Sequence, residues 1–82
     1  MANTRVAVLA VIVEDDNSTP ALNHLLSEFS DYVIGRMGVP YRERGVRIIS
    51  VAVDAPQDRI AALSGRIGSL SGVSVKTAYA GV

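Results

Sequence analysis

The two stretches that decide the fold are Arg5-Val-Ala-Val-Leu-Ala-Val-Ile-Val13 and Val46-Arg-Ile-Ile-Ser-Val-Ala-Val53. Both are rich in β-branched residues, and both carry apolar side chains at odd and at even positions. Strands that are apolar on both faces are typical of the middle of a sheet, where neither face is left to water. We therefore predict that these stretches form two central strands of one sheet.

A helix is predicted after the first of these strands. The polar loop Glu14–Ser18 leads into Thr19-Pro20, which has the pattern of an N-cap residue followed by proline at the first helical position. Apolar residues then recur at steps of three and four, which predicts an amphipathic helix from residue 20 to about residue 30. The acidic residues of the loop lie at the positive end of this helix, where the helix dipole favours negative charge.

A second helix is predicted after the second central strand. Asp54 and Gln57 have the spacing of a capping box, with the aspartate at the cap and the glutamine three residues later. The inner face of this helix is defined by apolar residues at helical spacing, namely Ile60, Leu63, Ile67 and Leu70. Glycines between residues 68 and 72 are available to end the helix.

The remaining two strands have the composition of sheet edges. Residues 32–41 contain two glycines and Pro40, which are poorly tolerated in the middle of a sheet, and the charged turn 42–45 joins them to the next strand. Residues 73–79 form a short and partly polar last strand. With right-handed crossovers, the order βαββαβ predicts an α+β ferredoxin-like fold, a four-stranded antiparallel sheet with two helices on one face.

This fold leaves one face of the sheet without helices. Whichever alternate residues of the central strands pack on the helices, the other face keeps about seven apolar side chains, a large patch for a monomer. Burial of roughly 500 Å² of such a face contributes on the order of 12 kcal/mol, and association costs about 4–15 kcal/mol. We expect a homo-oligomer, a dimer or a tetramer, that uses this face, an edge strand or both. The alternative is a monomer whose short terminal segments fold over the face.

Length and composition exclude several classes of protein. A chain of 82 residues is a single domain, 1–82, and the absence of cysteine excludes disulfides and zinc–thiolate or iron–sulfur sites ligated by this chain. Lys plus Arg and Asp plus Glu both number 8, so we expect no binding to nucleic acid by this chain alone and none to an anionic membrane. No targeting signal or membrane span is recognised, and we expect a cytoplasmic location.

Two sets of polar side chains near the first helix are candidate cation sites. Glu14, Asp15 and Asp16 have the oxygen atoms that a hard cation needs, but not the spacing of an EF-hand loop. The simpler interpretation is a solvated turn that complements the helix dipole. His24 is the single histidine, and a metal site on it would need carboxylates or residues of other subunits. A surface histidine is the simpler interpretation, and no metal or cofactor is expected.

The segment Gly35-Arg-Met-Gly38 is a second kind of candidate site. It lacks the Gly-Lys-Ser/Thr of a phosphate-binding loop. Two glycines three residues apart on an edge strand let a ligand or another backbone approach closely, and Arg36 can pair with a carboxylate. The alternative is an irregular edge strand with a bulge. The candidate ligand or interface residues here are Gly35, Arg36, Met37, Gly38 and Tyr41.

The sequence contains little support for catalysis. No serine is placed with the histidine in a nucleophile motif, and no pair of carboxylates is placed in an apolar pocket. RNA-recognition modules share this strand order, but they present aromatic residues on the central strands, and residues 5–13 and 46–53 have none. We therefore expect a binding or regulatory domain and not an enzyme.

The chain resembles a known family over nearly its whole length. The most specific stretch is Leu26-Ser-Glu-Phe-Ser-Asp-Tyr-Val-Ile-Gly-Arg-Met-Gly-Val-Pro-Tyr41, of which composition alone would rarely produce residues 34–41. The other matching residues are Gly45-Val46, Ile48-Ile49-Ser50, Asp54, Ala62-Leu63-Ser64-Gly65-Arg66-Ile67-Gly68, Gly72-Val73 and Val75-Lys76. In these residues the chain is similar to the regulators of the iron-only hydrogenase system.

The resemblance implies an ACT-like domain, similar also to the C-terminal domain of nickel-responsive repressors. Such modules form oligomers and bind small effectors at or near subunit interfaces. It implies a non-enzymatic regulatory role in which the chain senses a small-molecule effector or docks to a hydrogenase-maturation protein. The alternative is a structural adaptor without a small ligand. The nickel site of the repressors cannot form here, because the chain has no cysteine and only His24. We recognise no DNA-binding segment before the first strand and therefore expect that this chain does not act as a repressor by itself.

Overall fold

The computed structural model describes residues 3–81. The elements follow in the order β1 (Arg5–Val13), α1 (Thr19–Glu28), β2 (Val33–Tyr41), β3 (Val46–Ala55), α2 (Gln57–Gly68) and β4 (Val73–Tyr79). The strands form one antiparallel sheet in the order β2-β3-β1-β4. The predicted α+β ferredoxin-like fold is therefore confirmed, with β1 and β3 in the centre. No helix within residues 3–81 is long and apolar enough to cross a membrane.

The hydrophobic core lies on one side of the sheet, under the two helices. Leu9 of β1 pairs with Val51 of β3, and both side chains are fully buried. Because side chains alternate along each strand, this register turns one set of residues from both strands towards the helices. The buried strand residues are Ala7, Leu9, Val11, Val13, Ile49, Val51, Val53, Ala55 and Val73. The buried helix residues are Leu22, Leu25, Leu26, Ile60, Leu63 and Ile67.

The β1–α1 loop is fastened to the turn between α2 and β4. The Ser18 hydroxyl donates to the carbonyl of Ser71 at 2.6 Å, and the backbone N–H of Glu14 donates to the carbonyl of Gly72 at 2.7 Å. Gly72 has a φ of +67°, in the left-handed region that favours glycine. These bonds hold both connections together at one end of the sheet.

The start of α1 differs by one residue from the sequence prediction. Ser18, and not Thr19, is the N-cap, while Pro20 lies in the first turn as expected. The Ser18 side chain does not cap the helix, because its hydroxyl is used in the bond to Ser71. The hydrogen bond from Ser18 to Ser71 across the two loops has therefore taken the place of a side-chain cap on α1.

The capping box predicted at the start of α2 is wrong. β3 continues to Ala55, so Asp54 lies in the strand and pairs with Val6, and Pro56 occupies the N-cap. Gln57 uses its side chain elsewhere: its Oε1 accepts from Arg5 Nη1 at 2.7 Å, and its Nε2 donates to the Tyr79 hydroxyl at 2.7 Å. Strand pairing has determined the role of Asp54 here, and the local motif has not.

Candidate functional site

The second face of the sheet carries exposed apolar side chains. The large ones are Val8, Met37, Val39, Tyr41 and Ile48, with 41, 67, 51, 42 and 42% of their surface exposed. The ladder places them on adjacent strands, since Val39 pairs with Ile48 and the neighbouring pair is Tyr41 with Val46. We call the surface formed by these five large residues the open face. No helix within residues 3–81 packs on it.

A shallow hollow lies within the open face. It has a volume of about 280 Å³. It is lined by the small residues Gly35, Ser50 and Ala52, with Val8, Arg36 and Met37 beside them. The Met37 side chain is the most exposed of the large apolar ones and stands next to this hollow. A flexible methionine beside a depression is well suited to pack against another apolar surface.

Strand β2 contributes to two different surfaces. Met37 pairs with Ser50 on the open face, whereas Arg36 pairs with Val51 and Gly38 with Ile49, both buried on the helix side. A bulge between Val33 and Gly35 precedes this alternation. It agrees with the alternative prediction of an irregular edge strand with a bulge. The five candidate residues of this strand therefore do not form one site. Met37 and Tyr41 belong to the open face, and Gly35 lies on the same side of the sheet. Arg36 and Gly38 lie on the helix side.

A groove runs between α1 and β2 on the helix side. One cavity of about 170 Å³ is lined by Thr19, Asn23, Arg36, Gly38, Arg47 and Ile49, among others. A second cavity of about 320 Å³ continues towards the C-terminal end of α1 and shares Asn23 and Arg36 with the first. A Cβ atom at Gly38 would meet only Ile49 Cγ1, at 3.7 Å, so the glycine keeps this side of the strand open. We call these two adjacent cavities, which share Asn23 and Arg36 in their walls, the α1–β2 groove.

Two arginines line the α1–β2 groove. Arg36 Nη2 donates to Asn23 Oδ1 at 3.3 Å, and no carboxylate among residues 3–81 forms an ion pair with this guanidinium. Arg47 Nε donates to Asp16 Oδ1 at 3.0 Å, in an exposed ion pair. The charge of Arg47 is thus balanced by the Asp16 carboxylate, whereas the Arg36 guanidinium is hydrogen-bonded to the neutral Asn23 amide.

The carboxylates of the acidic loop do not converge on one point. Asp15 Oδ1 accepts from the backbone N–H of Asn17 at 2.9 Å, and Asp16 pairs with Arg47. Glu14 is exposed and is held through its backbone bond to Gly72. Within residues 3–81 there is no group of three His, Asp or Glu side chains that could hold a metal ion.

An ionic network joins the outer surfaces of α1 and α2. Glu28 accepts from Arg66 Nη1 at 2.9 Å and contacts His24 Nε2 at 2.9 Å. The hydrogen bond from Arg66 lowers the pKa of Glu28 below its ordinary value of 4.5, with smaller contributions from the charges of Arg66 and His24, against partial desolvation. His24 therefore lies in a surface network between helices.

The terminal segments leave the open face exposed as far as they are described. Asn3, Thr4 and Gly81 are exposed, and the backbone N–H of Ala80 donates to the carbonyl of Val6 at 2.8 Å, which extends the pairing of β1 with β4. The open-face residues are thus exposed even with Asn3, Thr4 and Gly81 in place. Residues 1, 2 and 82, which the alternative of a covered monomer also invoked, lie outside the described residues.

The element order and strand register define an α+β domain of the ferredoxin-like type, and the family follows from the sequence. Residues 5–77 match the TM1266-like family, described as "Iron-only hydrogenase system regulator, putative". Because this match covers most of the chain, the protein belongs to the TM1266-like family. The resemblance recognised from residues 26–76 is thereby confirmed.

One solved structure agrees with this family assignment, and a second agrees in fold alone. The chain is similar to the uncharacterized protein TM1266 from Thermotoga maritima, with 36% sequence identity and a TM-score of 0.89 over 93% of this chain and 96% of that one. It is also similar in fold to a formyltetrahydrofolate deformylase from Pseudomonas putida KT2440, with 20% identity and a TM-score of 0.64 over 89% of this chain and 28% of that one. No curated protein matches the sequence significantly.

Proposed function

We propose that the chain is a non-enzymatic, cytoplasmic regulatory module of the iron-only hydrogenase system that acts as a homo-oligomer, a dimer or a tetramer. Membership of the TM1266-like family supports the link to this system. The observation that carries the proposed self-association is the open face, with five large apolar side chains exposed side by side. Contiguous apolar patches of this kind on small domains usually mark interaction sites.

A second copy of the chain is the proposed occupant of the open face. None of its five residues is charged, and Asp54 and Lys76 lie only at the ends of its strands or on its edge strand. In a two-fold dimer the same patch meets itself, so Met37 of each copy can be placed against the hollow beside Ala52 of the other. A surface without a central charge suits such self-pairing, because like charges would otherwise face each other.

The size of the sheet indicates that this contact is modest. The face spans roughly 19 Å across its strands and about 24 Å along them, given a spacing of about 4.8 Å and a rise of about 3.4 Å per residue. Two copies face to face therefore bury on the order of 900 Å², close to the lower limit of about 1,000 Å² for a specific interface. An additional contact at the free edge of β2 would strengthen the dimer, and pairing there extends it to a tetramer.

Regulation follows if an effector binds one association state better than another, since only differential affinity shifts such an equilibrium. Strand β2 supports a link between the two events, because Met37 lies on the open face while Arg36 and Gly38 lie along the α1–β2 groove. In the proposed function the effector is a small molecule or a docked protein of the hydrogenase-maturation system.

Sedimentation velocity over a wide range of concentration tests the self-association. We expect the wild-type chain to shift from monomer to a larger species, and Val39→Asp to stay monomeric because it places a charge in the open face. Val39 is exposed and lies outside the core, so the substitution should leave the fold intact. The matched control is Ala61→Asp on the exposed surface of α2, which should behave like the wild type. A wild-type chain that stays monomeric at every concentration would contradict the proposal.

A further inference from the structure

We propose that the α1–β2 groove binds a small carboxylate with a short apolar body. This inference rests on the proposed regulatory function, and it names the chemical class of the effector and the residues that hold it. The groove is open along one side of β2, and its two cavities, of about 170 and 320 Å³, share Asn23 and Arg36. Sites for small molecules have volumes of about 300–1,000 Å³, so a metabolite of a few carbon atoms fits the size.

Arg36 is the group that recognises the carboxylate. Its guanidinium faces the neutral Asn23 amide oxygen at a long distance of 3.3 Å, and no carboxylate of residues 3–81 forms an ion pair with it. A planar guanidinium with several N–H donors matches a carboxylate in a two-point hydrogen bond. The weak bond to Asn23 holds Arg36 in the groove and is readily exchanged for a charged partner.

Two further polar groups lie beside Arg36. The Asn23 side chain can turn its amide N–H towards a bound oxygen. Thr19 lines the same cavity, and its buried hydroxyl oxygen has no hydrogen-bond partner within residues 3–81. A buried hydroxyl without a partner is unusual in a folded protein and needs an explanation. A rotation of the Thr19 side chain about χ1 would bring this hydroxyl to the cavity, where a ligand oxygen would supply that partner.

The apolar lining determines the rest of the ligand. Ile49 and Pro40 contribute carbon atoms to the smaller cavity, and Leu26 and Val33 contribute them to the larger one. Gly38 lies between the polar and apolar parts, and its missing side chain leaves room above Ile49. A ligand with one charged end and a few methyl or methylene groups would therefore satisfy both parts.

The charges of the groove favour a single carboxylate over a phosphate. Arg47 also lines the smaller cavity, but Asp16 is bonded to it at 3.0 Å and places a negative charge nearby. A phosphate group carries more negative charge than a carboxylate and would meet one unpaired guanidinium and this aspartate. A monoanion needs only Arg36 and neutral hydrogen-bond donors.

A titration followed by ¹H–¹⁵N NMR tests the proposal with isobutyrate as the probe. Isobutyramide, which has the same shape without the charge, and inorganic phosphate are the comparison compounds. We expect isobutyrate to produce saturable shifts at the Gly38 backbone N–H, the Asn23 side-chain amide and the Arg36 guanidinium, and the other two compounds to produce none there. Equal shifts with isobutyramide, preferential binding of phosphate, or the absence of a saturable response would each overturn the assignment.

Variants identify the groups involved. Arg36→Gln should weaken isobutyrate binding about tenfold or more, as expected for the loss of a charge-assisted hydrogen bond. Gly38→Val should abolish binding by filling the groove, and it should fold, because the first added carbon meets Ile49 only at an ordinary contact distance. The matched control is Arg59→Gln, which removes an exposed arginine from α2 and should leave the affinity unchanged. An unchanged affinity in Arg36→Gln would contradict the inference.

Light scattering on the same samples separates this inference from the proposed function. Binding in the groove of a chain that stays monomeric would refute the proposed self-association and leave the ligand assignment intact. Self-association without any binding in the groove would refute the ligand assignment and leave the proposed self-association intact.

Discussion

At the scale of single residues, Gly72 is the most restricted of the glycines in the described part of the chain. Its φ is +67°, and a Cβ atom there would lie 2.6 Å from Asp15 Cβ and 3.1 Å from the Asp15 backbone nitrogen. Its carbonyl also accepts the Glu14 N–H at 2.7 Å. Both the backbone conformation and the available space therefore require glycine. Gly45 has a similar φ of +66°, but nothing lies within 4 Å of its Cβ position.

A graded series of alanine substitutions separates these two requirements. Gly45→Ala should lower the free energy of unfolding by about 1–2 kcal/mol through backbone strain alone, and Gly72→Ala by about 2–4 kcal/mol through strain and a steric clash. Gly65→Ala, inside the last turn of α2 with open space around it, should raise the free energy of unfolding by about 0.5–1 kcal/mol. Urea denaturation measures all three, and equal losses for Gly45→Ala and Gly72→Ala would show that the clash with Asp15 is relieved at no cost.

The residue scale also shows where prediction from sequence ends. The glycines at residues 68–72 predict that α2 ends there, and it ends at Gly68. They do not reveal that Gly72 in particular meets Asp15, because that contact joins two loops that are far apart in the sequence. The capping box at Asp54 failed for the same reason, since pairing with Val6 of β1 extends β3 through this residue. Local motifs were reliable only where no tertiary contact competed with them.

At the scale of elements, β2 is the part of the candidate site that sequence could describe least well. Its position at a sheet edge was predicted from Pro40 and the two glycines, and it is confirmed. That Arg36 and Met37 lie on opposite faces follows from the alternation of side chains in any strand. Which of the two faces the helices depends on the bulge between Val33 and Gly35, because a shift of one residue moves every following side chain to the other face. That choice could not be read from composition.

The central strands contain a sequence signal for which of their alternate residues face the helices. The sequence predicted an uncovered apolar face without deciding which alternate residues form it. The strongly apolar set with Leu9 and Val51 packs on the helices, and the set with Val8 and Ile48 forms the open face. The smaller side chains Ala10, Ser50 and Ala52 in the second set could have indicated this choice, because the core favours the bulkier set. The groove residues Thr19, Asn23 and Arg47 gave no such signal.

The ionic network between α1 and α2 predicts a pH dependence of stability. The pKa of Glu28 is lowered in the folded chain, first by the hydrogen bond from Arg66. A carboxyl group whose pKa is lower when folded stabilises the fold above its unfolded pKa, and this contribution is lost as the pH falls through the folded value. We therefore expect Glu28→Gln to be less stable than the wild type near neutral pH, with the difference disappearing on acidification below the ordinary pKa of 4.5.

Urea denaturation across the acidic range measures this difference, and a double-mutant cycle with Arg66→Gln assigns it. In the Arg66→Gln background most of the pH-dependent effect of Glu28→Gln should be lost, because the main cause of the lowered pKa has been removed. The pair is exposed, so added salt should reduce the effect further. A difference that grows on acidification would have the wrong sign for a lowered pKa.

At the scale of the whole molecule, the chain has a one-sided core in a small domain. Both helices and their buried leucines and isoleucines lie on one face of the sheet, while the large apolar residues of the open face remain in contact with water. A domain of this size removes only about 60% of its unfolded surface from water, so its stability is modest. Covering the open face with a second copy would add to this modest free energy of unfolding, so folding and association should be coupled.

This coupling makes the melting temperature depend on protein concentration. Above the dissociation constant, each tenfold rise in concentration stabilises a dimer by about 1.4 kcal/mol, which corresponds to an increase of about 3–5 °C in Tm for a dimer of this length. We expect that increase for the wild type in calorimetry. The melting temperature of Val39→Asp should be the same at every protein concentration. At high concentration it should lie below that of the wild type. The variant's monomer has lost no core residue, so this difference reports the lost association. A wild-type Tm independent of concentration would mean that the isolated chain is stable without covering its open face.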